Sequence, residues 1–193
     1  VTMSDKRIPI GVSGRHVHVS RQDLDTLYGA GYQLQNMKDL SQPGQFACNE
    51  TVDIVTAKGT FKNVRILGPE RKKSQVEVSL TDAIKLGIKP PVRDSGDHSG
   101  SPGVTLVGPK GSVDLSSGVI AACRHIHMTP ADAAVLGLTD KQIVKVRTGG
   151  ERALVFDQVL VRVDPTYALE MHIDTDEGNA AMLKTGDTVE IVQ

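Results

Sequence analysis

Two kinds of stretch take turns along the chain. In the first, apolar β-branched and polar residues alternate: "TVDIVTAKGTFKNVRIL", "GVTLVGPKGSVDL", "QIVKVRTGGERALVFDQVLVRV" and "DTVEIV". Successive side chains of a strand face opposite ways, so this period of two predicts half-buried strands. Lys-Gly, Gly-Pro-Lys-Gly and Gly-Gly pieces break them into hairpins. In the second kind a short strand runs into a polar residue and then a brief helical pattern. "RHVHVS", "VEVSLTDAIKLGI", "IHMTPADAAVLGL" and "MHIDTDEGNAAMLKTG" are four copies of it. Their strands end in Ser20, Ser79, Thr129 and Asp174, all good helix N-caps. Three residues on stand Asp23, Asp82, Asp132 and Glu177, acids suited to a first helical turn, with Glu177 the capping-box residue proper. A helix of about two or three turns is expected to follow and to stop near a glycine. Closely spaced strands with four short helices predict a mainly β protein with short helices, built as two barrels of two units each, their ends plugged by the helices. "KPPVRDSGDHSGSPG", Lys89 to Gly103, separates the unit pairs and reads as a linker or an active-site loop.

Composition narrows the partners. A chain of 193 residues can bury one large core or two small ones. The net charge of −1, with three Tyr, three Phe and no Trp, offers neither a basic field for phosphates nor stacking platforms for bases, which argues against nucleic acid. No apolar run approaches the roughly 20 residues of a membrane span. The opening "VTMSDKRIPI" lacks the apolar core of a secretory signal, and its start on Val1 leaves room for a trimmed leader. Cys48 and Cys123 do not make a disulfide framework; a reducing cytosol is the expected compartment, and both thiols are read as buried small apolar groups.

Histidine carries the chemistry. Four of the six histidines lie in "RHVHVS" and "RHIHMT". The residue two before each cap is His18, Glu77, His127 or His172, a side chain able to bind metal in every copy. His16 and His125 stand two residues earlier in two of the copies. Residues i and i+2 of a strand share a face about 6.6 Å apart, and two imidazoles at that spacing can share a metal at roughly 2.0–2.1 Å. Five histidines and one carboxylate suffice for two sites of three ligands, with the open positions of catalytic metals. A lone His-x-His is more often accidental or a hydrogen-bonded pair; two copies in register, with Glu77 and His172 at the equivalent place, favour metal. His98 falls in the Gly/Ser loop and is expected to be solvated. Arg15 and Arg124, one residue off the histidine parity, should face away and make salt bridges. Cys123 shares the parity, so a thiolate ligand is an option beside the preferred burial. "GPERKKSQVEV" sets Arg71, Lys72 and Lys73 just before the strand of Glu77, either as a solvated turn or as cations at the mouth of a site. Arg71 suits phosphate through its planar fork of donors, with Arg93 and Ser95 weaker candidates.

Several metal families are excluded. There is no His-Glu-x-x-His helix. Ser20-Arg21 and Thr129-Pro130 stand where a metallo-β-lactamase has Asp-His. The chain is too short for an amidohydrolase barrel of about 250 residues. By contrast "IPIGVSGRHVHVS", "GPERKKSQVEVS", "RHIHMTPADA" and "EMHIDTDEGNAA" resemble the PduL-type phosphotransacylases, the phosphate propanoyltransferases of bacterial microcompartments, along essentially the whole chain. The resemblance implies two β-barrel domains capped by short α-helices with the metal site at their interface, residues 5–14 plus 123–193 in one and 15–122 in the other. It implies two zinc ions, one held by His16, His18 and Glu77 and one by His125, His127 and His172. Arg71 matches the phosphate-binding, catalytic arginine; Asn179 matches a residue near coenzyme A; Lys38 and Ser95 are carried over as further substrate contacts. The implied reaction converts short-chain acyl-CoA, propanoyl or acetyl, and phosphate into acyl phosphate and free CoA. Direct attack is expected, since no Ser or Cys with an adjacent base is evident. The resemblance also implies a homodimer serving propanediol degradation in a microcompartment lumen in the cytoplasm, beside core enzymes and shell. The amphipathic targeting extension of many members is absent from these 193 residues. Two rivals stay open: a di-zinc hydrolase of thioesters or phosphoesters, and a non-enzymatic metal-storing or shell-associated module with closed sites.

Overall fold

The structure is a computed structural model and describes residues 7–192. The opening "VTMSDK", which holds residues 5 and 6 of the expected first barrel and most of the stretch searched for a signal, lies outside the described residues. Among the described residues, fifteen strands and four short helices follow one another. They are β1 (Arg7–Ser13), β2 (His16–His18), α1 (Arg21–Tyr28), β3 (Asn36–Asp39), β4 (Phe46–Val55), β5 (Thr60–Gly68), β6 (Gln75–Glu77) and α2 (Leu80–Leu86). Then come β7 (Val92–Arg93), β8 (Thr105–Val107), β9 (Ser112–Asp114), β10 (Val119–Ala122), β11 (His125–Met128) and α3 (Pro130–Leu136). The last elements are β12 (Ile143–Arg147), β13 (Val155–Val163), β14 (Glu170–Asp174), α4 (Thr175–Ala181) and β15 (Thr188–Val192). No described helix is long and apolar enough to cross a membrane.

The chain forms two compact units, each with its own apolar core. One gathers the N-terminal strand, Ser41–Pro43 and the chain from Cys123 onward; the other holds Gly14–Leu40 and Gly44–Ala122. In the first, six strands close a barrel in the order β1-β14-β11-β13-β12-β15, with β15 pairing back onto β1. Alternation explains the closure. In β12, Val144 and Val146 point inward while Ile143, Lys145 and Arg147 point out. Each inward aliphatic contributes about 1.5–3 kcal/mol by leaving water. In the second unit a nine-stranded sheet runs β7-β10-β6-β2-β5-β4-β8-β9, with β3 paired to β4. It curls into a half-barrel and does not close.

The two units share a four-strand plan. In the barrel, β14 lies between parallel β1 and antiparallel β11, and β11 is parallel to β13. In the open sheet, β6 lies between parallel β10 and antiparallel β2, and β2 is parallel to β5. The connectivity is exchanged: β1 leads along the chain into β2 yet pairs in the barrel, and β10 leads into β11 yet pairs in the open sheet. Lys89 to Gly103 lies wholly within the open-sheet unit, so it is not a linker between the units. Its Pro91 carbonyl and the β7–β10 pairing tie it to the sheet.

All four expected caps form. The side chains of Ser20, Ser79, Thr129 and Asp174 accept from the backbone N–H three residues on. The reciprocal capping box closes at Glu177 and also at Asp132. The first three helices end at Gly29, Gly87 and Gly137, but the fourth ends at Met182, which itself takes the left-handed conformation at φ 54° before Gly186 is reached. Arg15 and Arg124 make the expected salt bridges, and in the same pattern. Arg15 meets Asp82 in the first turn of α2 at 2.8 Å and lies 4.0 Å over the Phe61 ring. Arg124 meets Glu177 in the first turn of α4 and lies 5.1 Å over Phe156.

Because the strand carrying each histidine pair runs straight into a capped helix, the caps should bear measurably on stability. Thr129→Ala removes the side-chain half of a capping box, leaving the Thr129 N–H bonded to Asp132, and is expected to cost about 1 kcal/mol in urea unfolding, while Thr129→Ser stays within a few tenths. An alanine variant as stable as the parent would show that the cap does not hold the helix.

Candidate metal centres

In the open-sheet unit, β2 and β6 pair antiparallel with His16 opposite Glu77, Val17 opposite Val76 and His18 opposite Gln75. The register decides the faces. Val17 and Val76 go into the core, and the four polar side chains form a square on the other side. His16, His18 and Glu77 bring one donor atom each to within 4.8 Å of the others, so the group can hold a metal ion. His16 Nε2 lies 3.3 Å from Glu77 Oε2, and His18 Nε2 lies 3.7 Å from Oε1. The Gly14 carbonyl, 2.9 Å from His16 Nδ1, can only accept, so Nδ1 carries a proton and Nε2 is left to face the carboxylate. In so dry a place a proton or a metal ion must lie between Nε2 and the carboxylate. The Nδ1 of His18 is buried without a partner, a state that costs about 1–3 kcal/mol unless a ligand compensates it. Burial pushes His18 down to about 4, with His16 and Arg71 adding to it. Burial opposes charge on His16 too, but the Glu77 carboxylate outweighs it and raises that ring. Glu77 itself stays well below the carboxylate range: burial works against its charge, and His16 and His18 more than offset it.

Arg71 and Ser95 are brought to this same centre. An Arg71 guanidinium N–H donates to Ser95 Oγ at 2.8 Å, and Ser95 in turn donates to Glu77 at 3.3 Å. Arg71 is close enough for its charge to disfavour protonation of both histidines. The loop from Lys89 thus lines the Glu77 centre. His98 is not solvated: it is half-buried, and its Nε2 lies 3.1 Å from Gln75 Oε1.

In the barrel, β11 and β14 repeat the arrangement: His125 lies opposite His172, Ile126 opposite Met171, and His127 opposite Glu170. Again the apolar pair fills the core and the polar four share a face. The three rings pack edge to face at 4.6–5.2 Å between centroids, with donor nitrogens within 4.8 Å of one another, so this group too can hold a metal ion. His125 Nδ1 donates to the Cys123 carbonyl at 2.7 Å, matching His16 and Gly14, and its Nε2 faces His127 Nε2 at 3.0 Å. Nδ1 of His127 is buried without a partner, as in His18. Burial, then the neighbouring His125 and His172, push His127 down to about 2. A neutral, dehydrated imidazole beside two others is a poor host for a proton and a good donor to a metal.

Of the expected site residues, the six metal candidates fall into the two expected triads, and Arg71 and Ser95 join the first. Lys38 on β3 and Asn179 on α4 are exposed, and neither side chain shares a hydrogen bond with a triad residue. Cys123 is half-buried rather than buried; it lies outside both metal-competent groups and touches the Arg124 carbonyl. Cys48 is fully buried, as expected. The remaining corners of the two squares, Gln75 and Glu170, are functional candidates that residue type alone did not flag. The repeat register would have found them, since they occupy the places of His16 and His125 in the other two copies.

The phosphate propanoyltransferase family profile matches residues 9–184. Over 187 residues the chain is 59% identical to a phosphate propanoyltransferase of Thermotoga maritima, covering 96% of this chain and 89% of that one. It is 56% identical over 177 residues to one of Enterococcus faecalis (92% and 84% covered). It is 52% identical over 186 residues to one of Listeria monocytogenes (96% and 87%). A match of this identity along nearly the full length makes the chain a member of the phosphate propanoyltransferase family, a family of acyl-transferring enzymes.

Proposed function

We propose that this protein moves a short acyl group, propanoyl or acetyl, from coenzyme A to inorganic phosphate, using a divalent cation, zinc by preference, in each triad. The observation that carries the reading is the pair of three-donor groups, each one ligand short of a tetrahedral shell. His16, His18 and Glu77 would hold one ion and His125, His127 and His172 the other. Bound there, zinc supplies an acceptor for a thiolate sulfur and Lewis-acid polarisation of carbonyl and phosphoryl oxygens.

The chain's own residues do the rest. Arg71 orients phosphate and offsets its charge, and the Ser95 hydroxyl holds one of the guanidinium N–H groups so that the fork is fixed before substrate arrives. A phosphate oxygen then attacks the thioester carbonyl; the carbon–oxygen bond forms, the carbon–sulfur bond breaks, and the electron pair leaves on sulfur. An enzyme-bound acyl group is disfavoured. Burial raises the Cys48 thiol to about 12, and the Ser95 hydroxyl is engaged by Arg71, Gln75 and Glu77 rather than by a histidine base. Lys38 and Asn179, both exposed, are the proposed contacts for coenzyme A. By family resemblance we also propose a homodimer in the lumen of a bacterial microcompartment, with its shell or core enzymes as neighbours, in propanediol degradation.

Two measurements test this. On metal-quantified protein, CoA release from propanoyl-CoA should depend on added phosphate and yield propanoyl phosphate; equal release in phosphate-free buffer would instead identify a thioester hydrolase. Arg71→Met should raise the KM for phosphate about 10- to 100-fold, since a hydrogen bond to a charged group contributes roughly 1.5–3 kcal/mol, and leave the KM for acyl-CoA little changed. An unchanged phosphate KM removes Arg71 from the reaction.

A further inference from the structure

The fourth corner of each square belongs to neither metal-competent group, yet it is built with care. Gln75 is 1% exposed. Its Oε1 accepts from the Gly96 N–H at 2.7 Å, which fixes the amide's orientation and turns Nε2 outward as the donor. That Nε2 donates to Glu77 Oε1 at 2.7 Å and to Ser95 Oγ at 2.9 Å. In the barrel the corresponding corner is Glu170. His172 Nε2 donates to its Oε1 at 2.6 Å, and the Ser41 hydroxyl donates to the same oxygen.

Ser41 itself is held from the neighbouring residue. Gln42, 3% exposed, grips the Ala168 backbone at both ends, donating to its carbonyl at 2.9 Å and accepting from its N–H at 3.2 Å. The space for the contact comes from Gly11, which pairs with His172 across β1 and β14. A Cβ there would lie 2.5 Å from Glu170 Oε1 and 3.2 Å from His172 Cδ2.

The corners are chemically matched to the ligands they touch. Where the ligand two residues along is a carboxylate, the corner is an amide that donates. Where it is an imidazole, the corner is a carboxylate that accepts. We infer that Gln75 and Glu170 are equivalent positioning residues, each orienting one ligand of its own metal centre: Gln75 holds the Glu77 carboxylate, and Glu170 holds the His172 ring with Nε2 protonated and the Nδ1 lone pair available to the ion. The inference rests on the two-centre reading above. Residues of this kind, one step behind the ligands, typically tune metal affinity about 10- to 100-fold when lost.

The test is a titration of metal-free protein with cobalt(II), read by visible absorption against a competing chelator, so that each centre is followed separately and without turnover. Unaltered protein should take two equivalents; fewer would overturn the two-centre reading and this inference with it. Glu170→Ala should weaken one equivalent about 10- to 100-fold and spare the other, and Gln75→Ala should do the converse. Glu170→Gln, whose amide oxygen can accept the same ring N–H, should recover much of the loss. Gly11→Ala, which leaves every polar group in place but crowds the Glu170 carboxylate, should weaken the same equivalent as Glu170→Ala. Nitrogen-15 shifts of the metal-free protein should show His172 protonated at Nε2. With two equivalents bound by the unaltered protein, the positioning roles are wrong if Glu170→Ala changes neither affinity, if it lowers both alike, or if His172 carries its proton on Nδ1.

Discussion

Everything in the two centres follows from one register. When two short antiparallel strands pair so that His16 meets Glu77, or His125 meets His172, four polar side chains are forced onto one face and the residues between them onto the other. The alternate residues, Val17 with Val76 and Ile126 with Met171, are fully buried and make the register costly to change. A slip by one residue would send imidazoles into an apolar core and aliphatics to the site. Tight burial then removes the water that would otherwise satisfy the ring nitrogens. The result is a set of lone pairs held close together, an arrangement a cation relieves and water cannot.

The same parts appear twice, with an exchange. Each half of the sequence contributes a leading strand to the unit built by the other half, β1 to the barrel and β10 to the open sheet. Each arginine ahead of a His-x-His reaches the first-turn acid of the helix that follows the partner strand of its own unit. These pairs tie the strand bearing two histidines of each group to the helix that follows the third member. The divergence is equally local. The His16 centre includes a carboxylate and draws Arg71 and Ser95 around it, whereas the His125 centre has three imidazole rings with a carboxylate one step behind.

Much of this was legible in the sequence because it depends on period and spacing. The four caps, the alternating strands and the six candidate ligands are all written at fixed offsets from Ser20, Ser79, Thr129 and Asp174. What escaped depends on neighbours far away along the chain. Whether the loop from Lys89 was a linker or an active-site loop stayed open because its partners, Gln75 and the β10 edge, cannot be read from its own Gly and Ser content, and His98 looked solvated for the same reason. The end of the last helix at Met182 was hidden because a non-glycine residue took the left-handed position. Gln75 and Glu170 passed unnoticed as ordinary polar residues, since their meaning lies in what the next same-facing residue is.

The most direct test of the account is anomalous X-ray scattering at the zinc edge from crystals of protein purified without chelators. One peak should lie among His16, His18 and Glu77 and another among His125, His127 and His172, each with a coordination position not filled by protein. Peaks absent from both triads would contradict the account, and a fourth protein ligand closing either shell would turn that centre from a reactive site into a structural one.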